Sequence, residues 1–571
     1  MVGSNESSTI SSSYWDSLST GATYGLGADD NAQTAAVLTI PEMMSATSFT
    51  GWDFSSDTVW AIIEGGSFPY LENVGTQITT AAAFDGSGGW RTVGQAGDVT
   101  YDDLLGHIWT QGFEGSDGGT GASSNVYFFD ENSYSWKIPS DSSNYFGTNS
   151  ASPSDSLRGA LIWFYPDDDA DGNDDAFPKY LVANTNIRNM DSTFNVPLSY
   201  TSSFSSDSSG WNLVSNPYPY SLNWRDVVDA ADNKNTLPVA YIWDHSLNSN
   251  NGGYKINYGY PLPPGAPEDF FFDGHIPVMQ SFWVKASGTG ASLTFKPEYQ
   301  EAAKSPYKQN SGKEKEKGQI SDFISIKVEH DEFSDRVLLF PDNGEGINAD
   351  IPKLNTLAGR FVDMAFVHTD DSRWISGTFT ENAVHDFMLD VNSTESGLFT
   401  FKLDQVSALS SDIQILLIDQ KSGKKMEITE QEEIELNITA PMKRINTPST
   451  LPKLKTGSND DASFILQVRT GTTVSSELEE EIPESFTLNQ NYPNPFNPSS
   501  TIRFGLPEAS QVRMEVFNIL GQKVATLING DRMNAGWHRV QFNAGSLSSG
   551  VYIYRIQAGN FVQTKRMMLI K

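Results

Sequence analysis

The densest run of ligand-type side chains in the 571-residue chain is FYPDDDADGNDDAFPK, residues 164–179. Asp167, Asp169 and Asp171 alternate, Gly172 permits a sharp turn, and Asn173 and Asp175 continue the series. Calcium takes six to eight hard oxygen ligands, and this spacing matches the first half of an EF-hand loop. The twelfth position is Pro178 where a bidentate glutamate would stand, so a complete EF-hand is excluded. The expectation is a DxDxDG-type calcium loop set between strands, against a solvated acidic turn; without a cation its carboxylates repel one another.

Other chemistry is thinly represented. The seven histidines, at 107, 245, 275, 330, 368, 385 and 538, show neither HExxH nor HxH spacing. They read as structural or surface residues, unless distant segments assemble a zinc site. No GxSxG, Walker loop or GxGxxG ahead of a helix occurs. With 71 acidic residues, carboxylate pairs for glycoside hydrolysis are too numerous to single one out. The expectation is a non-enzymatic protein. Aromatic rings at Trp211, Tyr218, Tyr220 and Trp224 offer faces for stacking on glycans, although such residues in β-sandwiches more often anchor the core.

The elements that would carry these residues are strands. The chain is rich in Gly, Ser, Thr, Asn and Asp, lacks long helical runs, and is too long for one core. A net charge of −33 repels phosphate backbones and anionic lipid, which excludes nucleic-acid binding and leaves cations and uncharged glycans as partners. There are no cysteines, hence no disulfides, thiolate metal sites or thiol nucleophiles. No apolar run is long enough to span a membrane as a helix. The amino terminus, MVGSNESSTISSSYW, lacks the basic cluster and apolar core of a signal peptide. An exported protein would therefore need further sequence ahead of it.

Short aromatic and β-branched runs recur. GGWRTVGQAGDVTYDDL at 88–104 parallels SGWNLVSNPYPYSLNWRDV at 209–227, and NVYFFDENSYSWKI at 125–138 parallels VAYIWDHSLNSNNGGYKI at 239–256. More loosely, LRGALIWFY at 157–165 parallels MQSFWVKAS at 279–287. Residues 76–300 therefore read as two tandem β units, about 88–200 and 209–298, forming either two sandwiches or two halves of one. A charged linker at 301–319 leads to a further sandwich at 320–471. There Ile324, Ile326 and Val328 face inward while Ser325 and Lys327 face water. An acidic linker, 472–483, precedes the last unit, 484–571, whose seven short strands suggest a small immunoglobulin-like sandwich. The fold class is all-β, several sandwiches in tandem, with a solenoid-cap-like amino terminus.

Two stretches resemble known families. Residues 1–75 resemble the terminal unit of GLUG repeats of bacterial adhesin-like β-solenoids, through Tyr14-Trp15-Asp16, Met43, Met44, Gly51-Trp52-Asp53-Phe54, Trp60 and Phe68-Pro69-Tyr70-Leu71. Residues 484–571 closely resemble a type A C-terminal sorting domain of the type IX secretion system. Its carriers include Asn491-Tyr492-Pro493-Asn494-Pro495-Phe496-Asn497-Pro498, then Gly521, Gly536, Gly550, Tyr552, and Lys565 through Lys571. The resemblance implies an outer-membrane export machine and a surface peptidase as partners. It also implies delivery to the surface or exterior of a Gram-negative bacterium. Each proline fixes φ and removes a donor, so the NPFNP run makes a stiff entry from which Tyr492 and Phe496 can fold back onto the sandwich. The expected whole is an adhesin-like exported protein, alternatively the accessory portion of a secreted carbohydrate-active enzyme with its catalytic domain upstream.

Overall fold

The structure is a computed structural model. It describes residues 2–5, 14–16, 26–29, 36–54, 60–64, 67–71, 77–95, 98–151, 157–167, 177–186, 191–205, 208–229, 231–259, 266–301, 323–342, 351–368, 370, 372–380, 382–406, 413–429, 432–439, 464–471, 483, 485–491, 494, 496, 498–545 and 547–570. Nearly all regular structure there is strand, as the turn-rich composition requires.

At the amino terminus, Val2–Asn5 pairs in parallel with Leu26–Asp29, and Tyr14–Asp16 with Ala36–Leu38. Partners lie about two dozen residues apart, Val2 facing Leu26 and Tyr14 facing Ala36. A short helix, Ile40–Met43, follows, capped by Thr39, whose backbone N–H and hydroxyl both donate to Glu42 at 2.8 Å. Tyr14, Phe49, Phe54 and Trp60 gather around Trp52, which stacks on Trp60 with centroids 4.2 Å apart. Ile40, Met44 and Phe68 pack with Ala81 and Val182, which ties this segment to the antiparallel pair Gln77–Phe84 and Lys179–Asn186.

The sequence echo appears as matching topology. One four-stranded sheet runs Ser135–Lys137, Val126–Asp130, Ala160–Phe164, Gly89–Val93, and the other Gly253–Asn257, Ala240–Asp244, Ser281–Lys285, Trp211–Ser215. Corresponding strands hold corresponding places, and each unit has a short helix between its first and second sheet strands, Tyr101–Leu105 or, after the short strand Ser221–Asn223, Trp224–Val228. The units are joined reciprocally, by bridges Arg158 to Val214 and Val93 to Gln280.

The next sandwich faces a five-stranded sheet against a six-stranded one. Ile326, Val328, Leu339, Phe399, Phe401, Leu417 and Leu466 are among the residues filling the space between them. One expectation fails here. Ser325 is fully buried, and Lys327 is half-buried in ion pairs to Asp269 and Glu329 at 3.5 and 2.8 Å. The outer face of this sheet is covered by the preceding unit: Phe323, Leu338, Phe340, Ile351, Leu354 and Ile375 share one core with Trp211, Tyr241, Phe270 and Trp283. Leu357, Ala358 and Phe361 likewise pack with Trp90, Tyr127 and Trp243. Residues 77–301 and 323–471 thus meet through apolar surface, where the sequence suggested separate domains.

The last unit pairs a three-stranded sheet (Thr487–Leu488, Ser499–Leu506, Gly536–Asn543) with a four-stranded one (Lys523–Met533, Ser510–Asn518, Gly550–Ala558, Phe561–Leu569). Ile502, Phe504, Leu506, Val512, Met514 and Val516 are each fully buried, as period-two alternation demands. Every buried member of this core lies between Leu488 and Leu569. Glu515, in the same strand, is covered by Lys523 and Arg555 at 3.1 and 2.8 Å. These cations hold its carboxyl below the usual range.

Candidate functional site

The first and last motifs of the final unit form one structure. Asn494 and Phe496 lie along the end of the Phe561–Leu569 strand. The Phe496 N–H donates to Met568 O at 2.9 Å, and the Ile570 N–H donates to Phe496 O at 3.0 Å. Asn494 Oδ1 accepts the Met568 N–H at 2.8 Å. An edge strand carries unpaired backbone groups, and this segment satisfies those at its carboxyl end. The Phe496 ring is buried, with its centroid 5.9 Å from that of Phe542. Among the described residues the segment makes one bridge to this strand, Phe496 to Leu569, and prolines lack the N–H that a longer ladder would need.

A tyrosine fixes the approach to that bridge. Tyr554 is fully buried; its hydroxyl donates to Asn489 O at 2.7 Å and accepts the Asn491 N–H at 2.8 Å. Asn491 Nδ2 reaches Ser500 Oγ at 2.8 Å, and Gln490 Nε2 reaches Arg566 O at 2.6 Å. Burial pushes the Tyr554 hydroxyl up to about 12, so it stays a donor at neutral pH. The Tyr554 role was missed in the sequence, where Tyr552 drew attention; Tyr552 is buried and donates to Ser548 O at 2.7 Å.

The other motif residues are spread along the unit. Gly536 and Gly550 open strands, and Lys565 sits opposite Tyr554. Gly521 has φ +77 in the Asn518–Gln522 turn, where Asn518 Oδ1 accepts the Leu520 and Gln522 N–H groups, each at 3.0 Å. That turn exposes Ile519 and Leu520, and Val551, Val562, Met568 and Ile570 are exposed as well. Pro498 accepts from the Ala544 N–H at 2.8 Å. Tyr492, Pro493, Pro495, Asn497 and Lys571 lie outside the described residues.

The remaining candidate sites fare differently. Of the calcium series, Asp167 is half-buried, while Asp169, Asp171, Asn173 and Asp175 lie outside the described residues. The glycan-stacking reading is corrected at three positions: Trp211, Tyr218 and Trp224 are at most 2% exposed. Trp211 carries Lys285 over its ring at 4.6 Å, and Tyr218 donates to Ser192 O at 2.9 Å. The joining of the two halves turns these rings inward as anchors. Tyr220 is half-buried.

Two polar clusters had no sequence signal. Arg373, 1% exposed, pairs with Asp363 and lies 3.3 Å from Asp390, while Lys353 pairs with Asp335 and lies 3.4 Å from Asp363. Burial alone would raise Asp363, but Arg373 and Lys353 outweigh it and hold the carboxyl at about 2. Asp335 moves the other way, raised by burial more than Lys353 lowers it. The residues of this network are far apart in sequence, which is why spacing could not find it. Separately, His330, Asp331 and Glu395 offer metal-type ligand atoms within 4.8 Å of one another. His330 Nδ1 donates to Leu398 O at 2.8 Å. Arg360, paired with Glu395 and 3.4 Å from Glu332, already supplies positive charge there.

These features define a multi-unit β protein ending in a compact sandwich with its own core. Residues 490–571 match the family model described as a secretion system C-terminal sorting domain. This is the type IX sorting domain that the tail resembled, and it marks the chain as a secreted, surface-delivered protein that meets the export machinery. No curated protein matches the chain. Among the described residues no helix is long and apolar enough to cross a membrane.

Proposed function

We propose that the chain is a non-enzymatic, adhesin-like protein whose β units ahead of residue 484 are cargo presented outside the cell. The observation that carries this reading is the closed core of the tail, with Asn491, Asn494 and Phe496 fastened to its final strands. A unit complete in itself can serve as an address label on varied cargo. One ion pair to the preceding sandwich among the described residues, Arg503 to Glu432 at 2.9 Å, is half-exposed and of the kind worth at most about 1 kcal/mol. The exposed Ile519 and Leu520 turn supplies an apolar surface for the export machine.

The adhesin-like role draws support from the amino terminus. Parallel pairing at offsets of about two dozen residues is what successive coils of a β-solenoid produce, in keeping with a GLUG-like unit. Two experiments test the proposal. A fluorescent reporter placed ahead of residues 484–571, in a host with type IX export, should reach the surface; retention inside overturns the address-label role. Cells displaying the full chain should attach to a second cell surface more than cells displaying the tail alone, and equal attachment overturns the adhesive role.

A further inference from the structure

Inside the sandwich of residues 323–471, Lys353 meets two carboxylates. Its Nζ donates to Asp335 Oδ2 and lies 3.4 Å from Asp363 Oδ1. The three side chains are 8%, 14% and 9% exposed. We propose that Lys353 and Asp335 condense to an intramolecular isopeptide bond, with Asp363 carrying the proton. The inference goes beyond the adhesive reading and depends on neither it nor export.

Three features of the geometry favour this reaction. First, the nucleophile is held at its target. A nitrogen hydrogen-bonded to one carboxyl oxygen lies beside the carboxyl carbon, and such fixed approach replaces a chance encounter. Both groups sit on anchored backbone: the Lys353 N–H donates to Arg373 O at 2.7 Å, and Asp335 pairs with Val328 across the sheet. Second, the oxygen that must take up charge already has a donor. Asp335 Oδ2 accepts the Met364 N–H at 2.7 Å, the place of an oxyanion-stabilising amide. Third, Asp363 is oriented from behind. Arg373 pairs with its Oδ2, which leaves Oδ1 on the Lys353 side.

The reaction balances without a co-reactant. One proton passes from the Lys353 ammonium to Asp335 Oδ1, giving a neutral amine and a neutral acid. Burial raises the Asp335 carboxyl above its ordinary range, which eases that transfer. The Nζ lone pair then forms a bond to Cγ, and the C=O electron pair moves onto Oδ2. Asp363 accepts a second Nζ proton and passes it to the Oδ1 hydroxyl. That group leaves as water when the Oδ2 pair re-forms the carbonyl, and Asp363 is again a carboxylate. The amide keeps one N–H. Water departs through the cavity of about 250 Å³ that all three side chains line.

Burial supplies the driving force. Two charges taken out of water carry a desolvation cost that a neutral amide escapes. Lys327 marks the contrast: it also meets two carboxylates, Asp269 and Glu329, but these are 44% and 32% exposed and stay solvated ions. The bond fastens the strand Phe333–Pro341 to the segment that carries Ile351 and Leu354 into the core shared with the preceding unit. A chain without cysteines gains there the covalent staple that a disulfide would give.

The test is the intact mass of the purified full chain in denaturant, followed by tryptic peptide mapping. The mass should fall below that of the sequence by one water. Trypsin cuts after Arg336, which separates Asp335 from Lys353, so a peptide pair that stays joined locates the bond. Lys353→Arg, which keeps the cation, should restore the full sequence mass. Asp363→Asn should slow formation about a hundredfold or more in freshly made protein. A wild-type mass equal to that of the sequence, with Asp335 and Lys353 on separate peptides, would overturn the proposal whether or not either variant folds. Joining that survives Asp363→Asn at full rate overturns the proton-carrier role, and a bond at Lys327 overturns the requirement for burial.

Discussion

Tyr554→Phe probes how the entry segment is fastened. The change removes one oxygen and leaves the ring, so the apolar core keeps its volume. It takes an acceptor from the Asn491 N–H, in a residue 1% exposed, and a donor from Asn489 O, in a half-buried residue that water can reach. Leaving a buried backbone group unsatisfied costs about 1–3 kcal/mol. The Asn491 N–H should bear most of this and Asn489 O little, for a total of about 2–3 kcal/mol. For a unit of this size that lowers the melting temperature by roughly 10–20 °C. Calorimetry of the full chain should show one transition moving down while the others stay. Hydrogen exchange should show faster opening at residues 489–498, and export should fall with it. A change below about 0.5 kcal/mol with unaltered exchange would refute the claim that Tyr554 holds the segment down.

Further expectations follow from charge. Burial disfavours charge on His275, but Asp273 and Glu301 outweigh it and raise the imidazole to about 9 from an unperturbed 6.5. The folded group binds its proton more tightly, so its contribution is full below pH 6.5 and is lost as pH rises through about 9. Glu301 is 30% exposed, so the loss is discounted to about 1–2 kcal/mol; His275→Gln should flatten that stretch of the stability-against-pH curve. Asp363→Asn takes one of its two carboxylate partners from buried Arg373 and should cost about 3 kcal/mol by urea denaturation. For the intact protein the depressed Asp363 contributes fully above the ordinary carboxylate range and loses its effect as pH falls through about 2. Glu432→Gln, which leaves Arg503 over the Trp537 ring of the tail, should move the tail's transition by less than about 1 kcal/mol; a larger shift would mean that the tail leans on its neighbour.

Much of this architecture was legible where one physical rule acts locally. Alternation in residues 512–516 and 324–328 gives strands with a buried face, and proline chemistry marks the entry at 493–498. Where contacts are distant, legibility ends. The shared core between units depends on Leu338 and Phe340 facing away from Val337 and Leu339. VLLF at 337–340 is a continuous apolar run, the mark of a strand buried on both faces, and it was the available signal. Nothing in LNTLAGRF, 354–361, announces that Leu357 and Phe361 pack beside Trp90 and Trp243. Trp211, Tyr218 and Trp224 show the same limit: ring type is readable, but the side to which a ring turns depends on how two repeats join.

Surface delivery of the intact chain, compared with a chain ending at residue 483, bears most directly on the sorting role. Antibody labelling of whole cells should detect the intact chain outside and the shortened chain only after lysis. Equal labelling of both would contradict the assignment of residues 490–571 as the part that directs export.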